Sequence, residues 1–581
     1  MVADYLVDRL RELRKERDAR LNVIRSRQDA EKYQARVRHA ISRAFAPLPK
    51  RTPLNAVTTG VIKRPGYSIE KVRFESRPGC VVTANLYLPE KRPRPLPAIL
   101  VGCGHALNGK AHVGYQAACQ RLVQAGFATL IYDPFSQGER NQPFHNNCVL
   151  AHSHLGKRLE LVGEFFGTWR LWDSRCALDY LLSRPEVDPT RIGMTGNSGG
   201  GTETTWLWPQ DNRIKMAAPS CFLTTFRHNL ENELPSDAEQ YPPGILGAGL
   251  ELADFFIARA PDPVMLIAQK YDFFDRRGFQ EICAEVKKFY RLFNAERNVH
   301  TYLGNHPHGN FPDTQQAIVS FFCRQAGLRP PKTARLIQEK DETLHVGLMK
   351  QFVPALIATP KPKRLADVLR LPRRTGTPHY RILRPVPGVA RYAVETEANI
   401  RVILLKVLGK TDQAESLDVE KKVHLCVPHF AAEDEPRPKL RPLYLVDVRG
   451  LGESAPEAKA DFFNPVGLDY MFHGFHLLLG ESYFGRRVHD LLSVIDLLVA
   501  NGAREIHLHG RGQGALLALF AAQLHPRVKH TTLQNLPHSF AGWAQAKSVA
   551  WPAANFPRGI LQVTDIPDCL RALGSAVTII R

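Results

Sequence analysis

The stretch "RIGMTGNSGGGTETTWL", residues 191–207, sets a strand-like run, a glycine-flanked serine and a helix-like run in immediate succession. A serine hydroxyl attacks a carbonyl carbon once a neighbouring base removes its proton, and a tight strand-to-helix turn lifts it clear of the sheet for that purpose. Ser198 occupies the centre of such a G-x-S-x-G turn. The main-chain N–H of Gly199 is then placed to donate to an oxyanion. A glycine-rich turn that merely packs looks the same in isolation, so the partners decide. In this chemistry they follow as acid and then histidine, each after a later strand. "PVMLIAQKYDFFD" offers Asp272 and Asp275 beyond a strand end, and "TYLGNHPHGNF" offers His306 and His308. Asp272, nearer the strand end, is the expected acid; Asp275 is its alternate, or the cap of the following helix. His308, on a His-Gly turn, is the expected base, with His306 as the alternate. "LVGCGHALNGKA" is glycine-rich where a second oxyanion donor belongs, and the main-chain N–H of His105 is assigned to it.

"FHNNCVLAHSH" gathers His145, Cys148, His152 and His154. Their spacing matches no structural zinc site, so they read as loop histidines near a substrate cleft. No metal and no cofactor is expected.

These residues need a sheet to position them. Residues 4–45 read as helix, with Leu6, Leu10 and Leu13 and then Tyr33, Val37, Ile41 and Phe45 at helical spacing. "GYSIEKVRFES" and "VVTANLYLP" read as two strands around a turn at Arg77-Pro78-Gly79. From Pro97 short apolar strands ("PAILVG", "ATLIYD", "IGMTG", "MAAPSC", "VMLIAQ", "HTYLG") alternate with longer helical segments. That alternation specifies a mostly parallel sheet flanked by helices. Residues 329–378 are rich in Pro and Lys and read as a linker with one or two short helices, after which the strand–helix pattern resumes.

The resumption is a repeat. "DPFSQGE" (133–139) matches "DVRGLGE" (447–453); Asp173 and Asp179 are spaced as Asp490 and Asp496 are; "GNSGGG" (196–201) aligns with "GRGQGA" (510–515). Landmarks in one order point to internal duplication. The reading is therefore two tandem α/β modules, the second truncated: a helical segment 1–55, a catalytic domain 56–328, the linker 329–378 and a degenerate module 379–581. The second copy has Gly512 where the first has Ser198. "GSAVTIIR" reads as the strand after "FPRGILQVT", so no acid loop or histidine segment follows it. The second module is expected to be non-catalytic, a structural support whose basic surface suits an acidic polymer.

Bulk properties narrow the partners. The 581 residues include 77 Lys and Arg against 57 Asp and Glu, a net charge of +20, with the basic residues spread along the chain. No zinc finger, RNP-like motif or basic–aromatic stripe accompanies them, so no nucleic acid is expected. No apolar run approaches the roughly 18–20 residues of a membrane span. The charged start "MVADYLVDRLRELRKERDARL" is no signal peptide, so the chain as written reads as cytoplasmic, and as periplasmic or secreted if an export signal preceded it. The ten cysteines lie singly, without a CxxC pair, and read as buried free thiols.

As a set, "FESRPGCVVTANLYLP", "GCGHALNGKA", "YDPFSQGER", "RIGMTGNSGGG", "DAEQ" (237–240) and "DFFDRRG" resemble the bacterial acetyl xylan esterase-like α/β-hydrolases, relatives of the acyl-peptidase and dienelactone-hydrolase groups. The resemblance covers roughly residues 30–325 and extends more loosely to two-module relatives with a degenerate second copy. Ala268 departs from it, where many relatives have glycine, and leaves the acid open between Asp272 and Asp275. It implies a serine esterase removing short acyl groups from a carbohydrate such as acetylated xylan, through Ser198, His308 and Asp272. The competing readings are a hydrolase of uronic-acid esters, which the positive charge suits, a prolyl-oligopeptidase-like peptidase, and a non-catalytic polysaccharide-binding or scaffold protein. The substrate is a small or polymeric ester; the oligomeric state is not readable.

Overall fold

Two sheets, of nine and eight strands, carry the chain in the computed structural model, which describes residues 1–90, 95–141, 147–331, 334–347, 352, 354–414, 416–436, 439–457 and 463–580. The chain divides into two units that are not contiguous in sequence. The first comprises Leu10–Ser153 and Phe165–Pro354, and the second Met1–Arg9, His154–Glu164 and Ala355–Arg581.

In the first unit the strands are β1 (Val57–Arg64), β2 (Tyr67–Arg77), β3 (Cys80–Pro89), β4 (Leu96–Gly102), β5 (Ala128–Tyr132), β6 (Val187–Asn197), β7 (Met216–Ser220), β8 (Val264–Tyr271) and β9 (Val299–Pro307). Their order is β1-β2-β3-β5-β4-β6-β7-β8-β9. The first three and β5 pair antiparallel; from β5 through β4 to β9 every pairing is parallel. β4 and β5 are buried at every position, as continuous apolar runs covered on both faces must be. On one face Tyr115, Leu122, Ile318 and Phe322, from helices Val113–Ala125 and Pro312–Ala326, pack against Ile99, Val101 and Ile131. Helices Phe166–Leu182 and Gly199–Leu207 are buried along almost their whole length. Parallel strands bring every loop of one kind to one edge, so the turns after β4, β6, β7, β8 and β9 share the carboxyl end of this sheet.

The second unit holds β10 (Tyr380–Ile382), β11 (Val389–Glu397), β12 (Ile400–Val407), β13 (Lys422–Val427), β14 (Leu443–Asp447), β15 (Glu505–Arg511), β16 (Val528–Gln534) and β17 (Val577–Ile580). Their order, β10-β11-β12-β14-β13-β15-β16-β17, repeats the first sheet with no ninth strand among the described residues. The repeated motif has one local geometry in both copies. Gly138 (φ 55°) and Gly452 (φ 53°) each press against the carboxylate five residues earlier, Asp133 and Asp447, where a Cβ has no room. Arg140 pairs with Asp173 in the first copy, and Arg449 with Asp490 in the second.

Four local expectations are corrected. The helix read over 4–45 is two, Val2–Asn22 and Arg27–Ala44, because Ser26 caps the second by accepting from the Asp29 N–H. β1 went unread; its sequence is polar and its positions are half or fully exposed, as at a sheet edge. "FPRGILQVT" forms no strand but a single tight turn at Ile560–Gln562, and β17 pairs directly with β16. Cys148, His152 and His154 lie on helix Cys148–Leu161 rather than in a loop, while His145 lies outside the described residues. All ten cysteines are unpaired and buried. No described helix is long and apolar enough to cross a membrane.

Candidate active site

β6 ends at Asn197, helix Gly199–Leu207 begins two residues later, and Ser198 turns between them at φ 58° and ψ −121°. Its N–H donates to the Ser220 carbonyl at 2.9 Å, which ties the turn to the end of β7. The glycines around it are required by close approach. A Cβ at Gly196 would run into the backbone of Gly200 and Gly102, one at Gly200 into that of Gly102 at the end of β4, and one at Gly199 would stand 2.8 Å from His105 Cε1. A non-glycine residue at such dihedrals costs on the order of 1–3 kcal/mol. Gly512 adopts nearly the same pair, φ 54° and ψ −114°. Ser198→Gly is therefore expected to be more stable than Ser198→Ala by about 1 kcal/mol, despite glycine's larger unfolded-state entropy. Urea melts of the two inactive variants check this; equal midpoints would mean the turn is unstrained.

Beyond β8, Asp272 is nearly inaccessible and both of its oxygens face His308 Nδ1, at 2.9 and 3.0 Å. The Phe274 N–H also donates to Asp272, at 3.1 Å. The His308 ring stacks on Phe273, with centroids 4.3 Å apart. With Nδ1 committed as donor to the carboxylate, Nε2 is left as the basic nitrogen. The alternates stand elsewhere. Asp275 caps helix Arg276–Arg291, accepting from the Arg277 N–H at 2.7 Å, and the Arg277 side chain holds its carboxyl down at about 2. His306 Nε2 faces Asp313 at 3.0 Å and its ring stacks on Phe311.

The loop after β4 is fixed from several sides. The Gly104 N–H donates to Tyr115 Oη at 2.5 Å, and Gln137 Nε2 donates to the Gly104 and Ala106 carbonyls at 2.7 and 2.9 Å. Lys110 is buried between Asp133 and Glu139, both at 2.6 Å. His105 sits inside this clamp, with its ring turned toward Asp237 and Glu239. The Gly199 N–H, in the first turn of its helix, has no intrahelical acceptor.

Sequence reasoning missed the layer beneath. Arg170 donates to Glu203 at 2.8 Å and pairs with Glu239; Tyr132 Oη donates to Glu203 at 3.0 Å. Trp206 Nε1, from the elbow helix, donates to the Glu239 carbonyl, and Gln240 Nε2 donates to Thr202 Oγ1. Every polar member of "DAEQ" thus holds the elbow or its neighbours, a role that the motif's place between serine and acid hints at and no spacing rule reveals. Burial pushes the Glu239 carboxyl up to about 8. At Asp237 burial acts the same way, but the imidazoles of His152 and His105 overcome it and hold that carboxyl far below the usual range. Among the described residues two groups bring three possible metal-ligand atoms within 4.8 Å of one another: His105, His152 and Asp237, and Cys221, Asp272 and His308. Burial raises the Cys221 thiol to about 12, so it is inert at neutral pH.

The corresponding corner of the second unit is filled by its own side chain. A Cβ added at Gly512 would collide with the His429 ring, whose Nδ1 accepts from the Gln513 N–H at 3.1 Å. Gln513 stands where the first copy has Gly199, so the imidazole takes up the N–H that corresponds to that of Gly199.

Residues 6–212 match the Abhydrolase family. Over 194 residues the chain is 27% identical to the protein named "Putative hydrolase YtaP" of Bacillus subtilis strain 168, covering 32% of this chain and 62% of that one, less than two thirds of its length. Among solved structures it is similar to "Methylesterase BT1017" (21% identity, TM-score 0.46, 58% of this chain and 73% of that one). It is also similar to a "putative acetyl xylan esterase" from Bacteroides fragilis NCTC 9343 (20% identity, TM-score 0.42, 48% and 76%). The strand order gives both units an α/β-hydrolase-like fold, a mostly parallel sheet flanked by helices, and the family match falls within residues 6–212.

Proposed function

We propose that this α/β-hydrolase is a serine carboxylester hydrolase that removes acetyl or other short acyl groups from a carbohydrate such as acetylated xylan. The observation that carries the reading is the His308–Asp272 pair, 2.9 Å apart at the same sheet edge as the strained elbow of Ser198. Ser198 Oγ attacks the ester carbonyl while His308 Nε2 takes its proton. The oxyanion is held by the N–H groups of Gly199 and His105, the latter being the next donor of the loop once Tyr115 has taken Gly104. His308 passes the proton to the departing alcohol, and water, activated by the same nitrogen, releases the acid from Ser198. Asp272 keeps the Nδ1–H tautomer and stabilises the imidazolium. The choice of acetylated carbohydrate rests on the motif set that resembles acetyl xylan esterase-like hydrolases.

A fluorophosphonate probe tests the nucleophile, with adduct formation at Ser198 and nowhere else as the expected result. Acid release from acetylated xylan, methyl-esterified pectin and glucuronate esters tests the substrate. Fast release from the uronate esters with none from acetylated xylan would move the assignment to that class.

The second unit is proposed to be unreactive. In a Ser198→Ala background, Gly512→Ser is expected to restore no turnover and to unfold more readily than its parent, because the new Cβ displaces His429. Ester hydrolysis appearing in that double variant would show a latent second site.

A further inference from the structure

His105, His152 and Asp237 come from three separate segments: the loop after β4, helix Cys148–Leu161, and the turn at Asp237–Gln240. Asp237 Oδ2 stands 2.8 Å from His152 Nδ1 and 3.0 Å from His105 Nε2, and Glu239 Oε1 lies 3.4 Å from the same His105 nitrogen. Two of these atoms, His105 Nε2 and Glu239 Oε1, are buried without a hydrogen-bond partner of acceptable geometry. The outer faces of the ligand groups are already committed. His152 Nε2 lies 2.9 Å from the Phe135 carbonyl, and the Glu239 N–H donates to Asp237 Oδ1 at 2.9 Å. A ring whose far nitrogen donates to a carbonyl, beside a carboxylate whose far oxygen is hydrogen-bonded, is the outer arrangement that orients metal ligands.

The pairing of the buried charges points the same way. Arg170 pairs with Glu203 and Glu239, whereas Asp237 faces the two imidazoles and the Glu239 N–H. A cation between Asp237 Oδ2, His152 Nδ1 and His105 Nε2 uses the lone pairs of both rings and gives the unpartnered His105 nitrogen a partner.

We propose that His105 Nε2, His152 Nδ1 and Asp237 Oδ2 bind a divalent transition-metal ion of the zinc type. Imidazole and carboxylate together select that class over calcium or magnesium. His105 retains 14% exposure of its side chain, which gives the ion a route in. The proposed esterase chemistry needs no metal; the ion's part is to hold the His105 loop against Gly199 beneath the nucleophile. The expectation of no metal rested on ligands at local spacing, and these ligands span residues 105 to 237.

Zinc content of the purified full chain after dialysis, and Co2+ titration of chelator-treated chain, test this directly. The expected results are about one equivalent of zinc per chain, cobalt absorption bands saturating at about one equivalent, and a melting temperature that falls on chelation and returns with Zn2+ but not Mg2+. Asp237→Asn and His152→Gln are expected to bind no cobalt. If either variant fails to fold, the wild-type titration decides. A chelator-treated wild-type chain that shows neither cobalt bands nor a melting shift with Zn2+ would establish a proton-balanced hydrogen-bonded triad and overturn the proposal. Serine-probe labelling of the same samples reads the esterase assignment separately.

Discussion

Ser198→Ala is expected to lower kcat on p-nitrophenyl acetate by roughly four to six orders of magnitude while leaving the far-ultraviolet circular dichroism spectrum and KM near those of the parent. The effect is large because the neighbouring hydroxyls of Thr202 and Ser220 are engaged with the Ser198 carbonyl and Asn197 Oδ1, and the turn itself does not depend on the serine. Asn197 and Ser220, which fix it, are untouched, and alanine keeps the Cβ that the elbow already accommodates. What remains after the substitution is the rate that oxyanion stabilisation and binding give by themselves. A variant within tenfold of the parent would place the nucleophile elsewhere.

The second large effect separates the assigned partners from their neighbours. His308→Ala is expected to cost about as much as Ser198→Ala, and the double variant little more than either, because the two act as one unit. Asp272→Asn is expected to cost roughly 10⁴ in kcat, since an amide favours the wrong imidazole tautomer. His306→Ala and Asp275→Asn are expected to stay within about tenfold of the parent. His306 is engaged with Asp313, and Asp275 with the start of helix Arg276–Arg291. Loss of the Asp275 cap removes roughly 1 kcal/mol of stability without touching the imidazole. Kinetics of the four single variants would decide it, and a reversed order within either pair would transfer the role to the neighbour.

Much of this was readable from the chain because it rests on local periodicity and on order. Strands β2 to β9 are apolar runs bounded by turns, and the order serine, acid, histidine follows from where the carboxyl edge of a parallel sheet puts successive loops. The duplicated landmarks foretold the duplicated strand order, down to the glycine over the aspartate. The failures share a cause. β1 is an edge strand whose face is half wet, so it carries no burial pattern, and "FPRGILQVT" has a strand's composition but is placed by tertiary contacts. The Arg170, Glu203, Asp237 and Glu239 layer was invisible for another reason. Buried charges are satisfied across 30 to 130 residues of sequence, and nothing in any one segment announces the partner. His429 escaped notice likewise, since the collision that closes the second elbow lies 83 residues from Gly512.

The clamp on the loop after β4 bears on selectivity. Tyr115, Gln137, Lys110 and Asp133 hold that loop in place through bonds made entirely within the protein. Enzymes that assemble their oxyanion pocket only around the right substrate convert binding energy into discrimination, and an incorrect acyl group fails to trigger closure. A pocket that is rigid beforehand has no such checkpoint. In the proposed reaction it accepts any carbonyl that reaches Ser198, which favours a catalyst tolerant of the acyl half of its substrates. Discrimination then falls to the walls that admit or exclude the alcohol, and a change of preferred sugar can arise by altering those walls while the elbow and its clamp stay as they are.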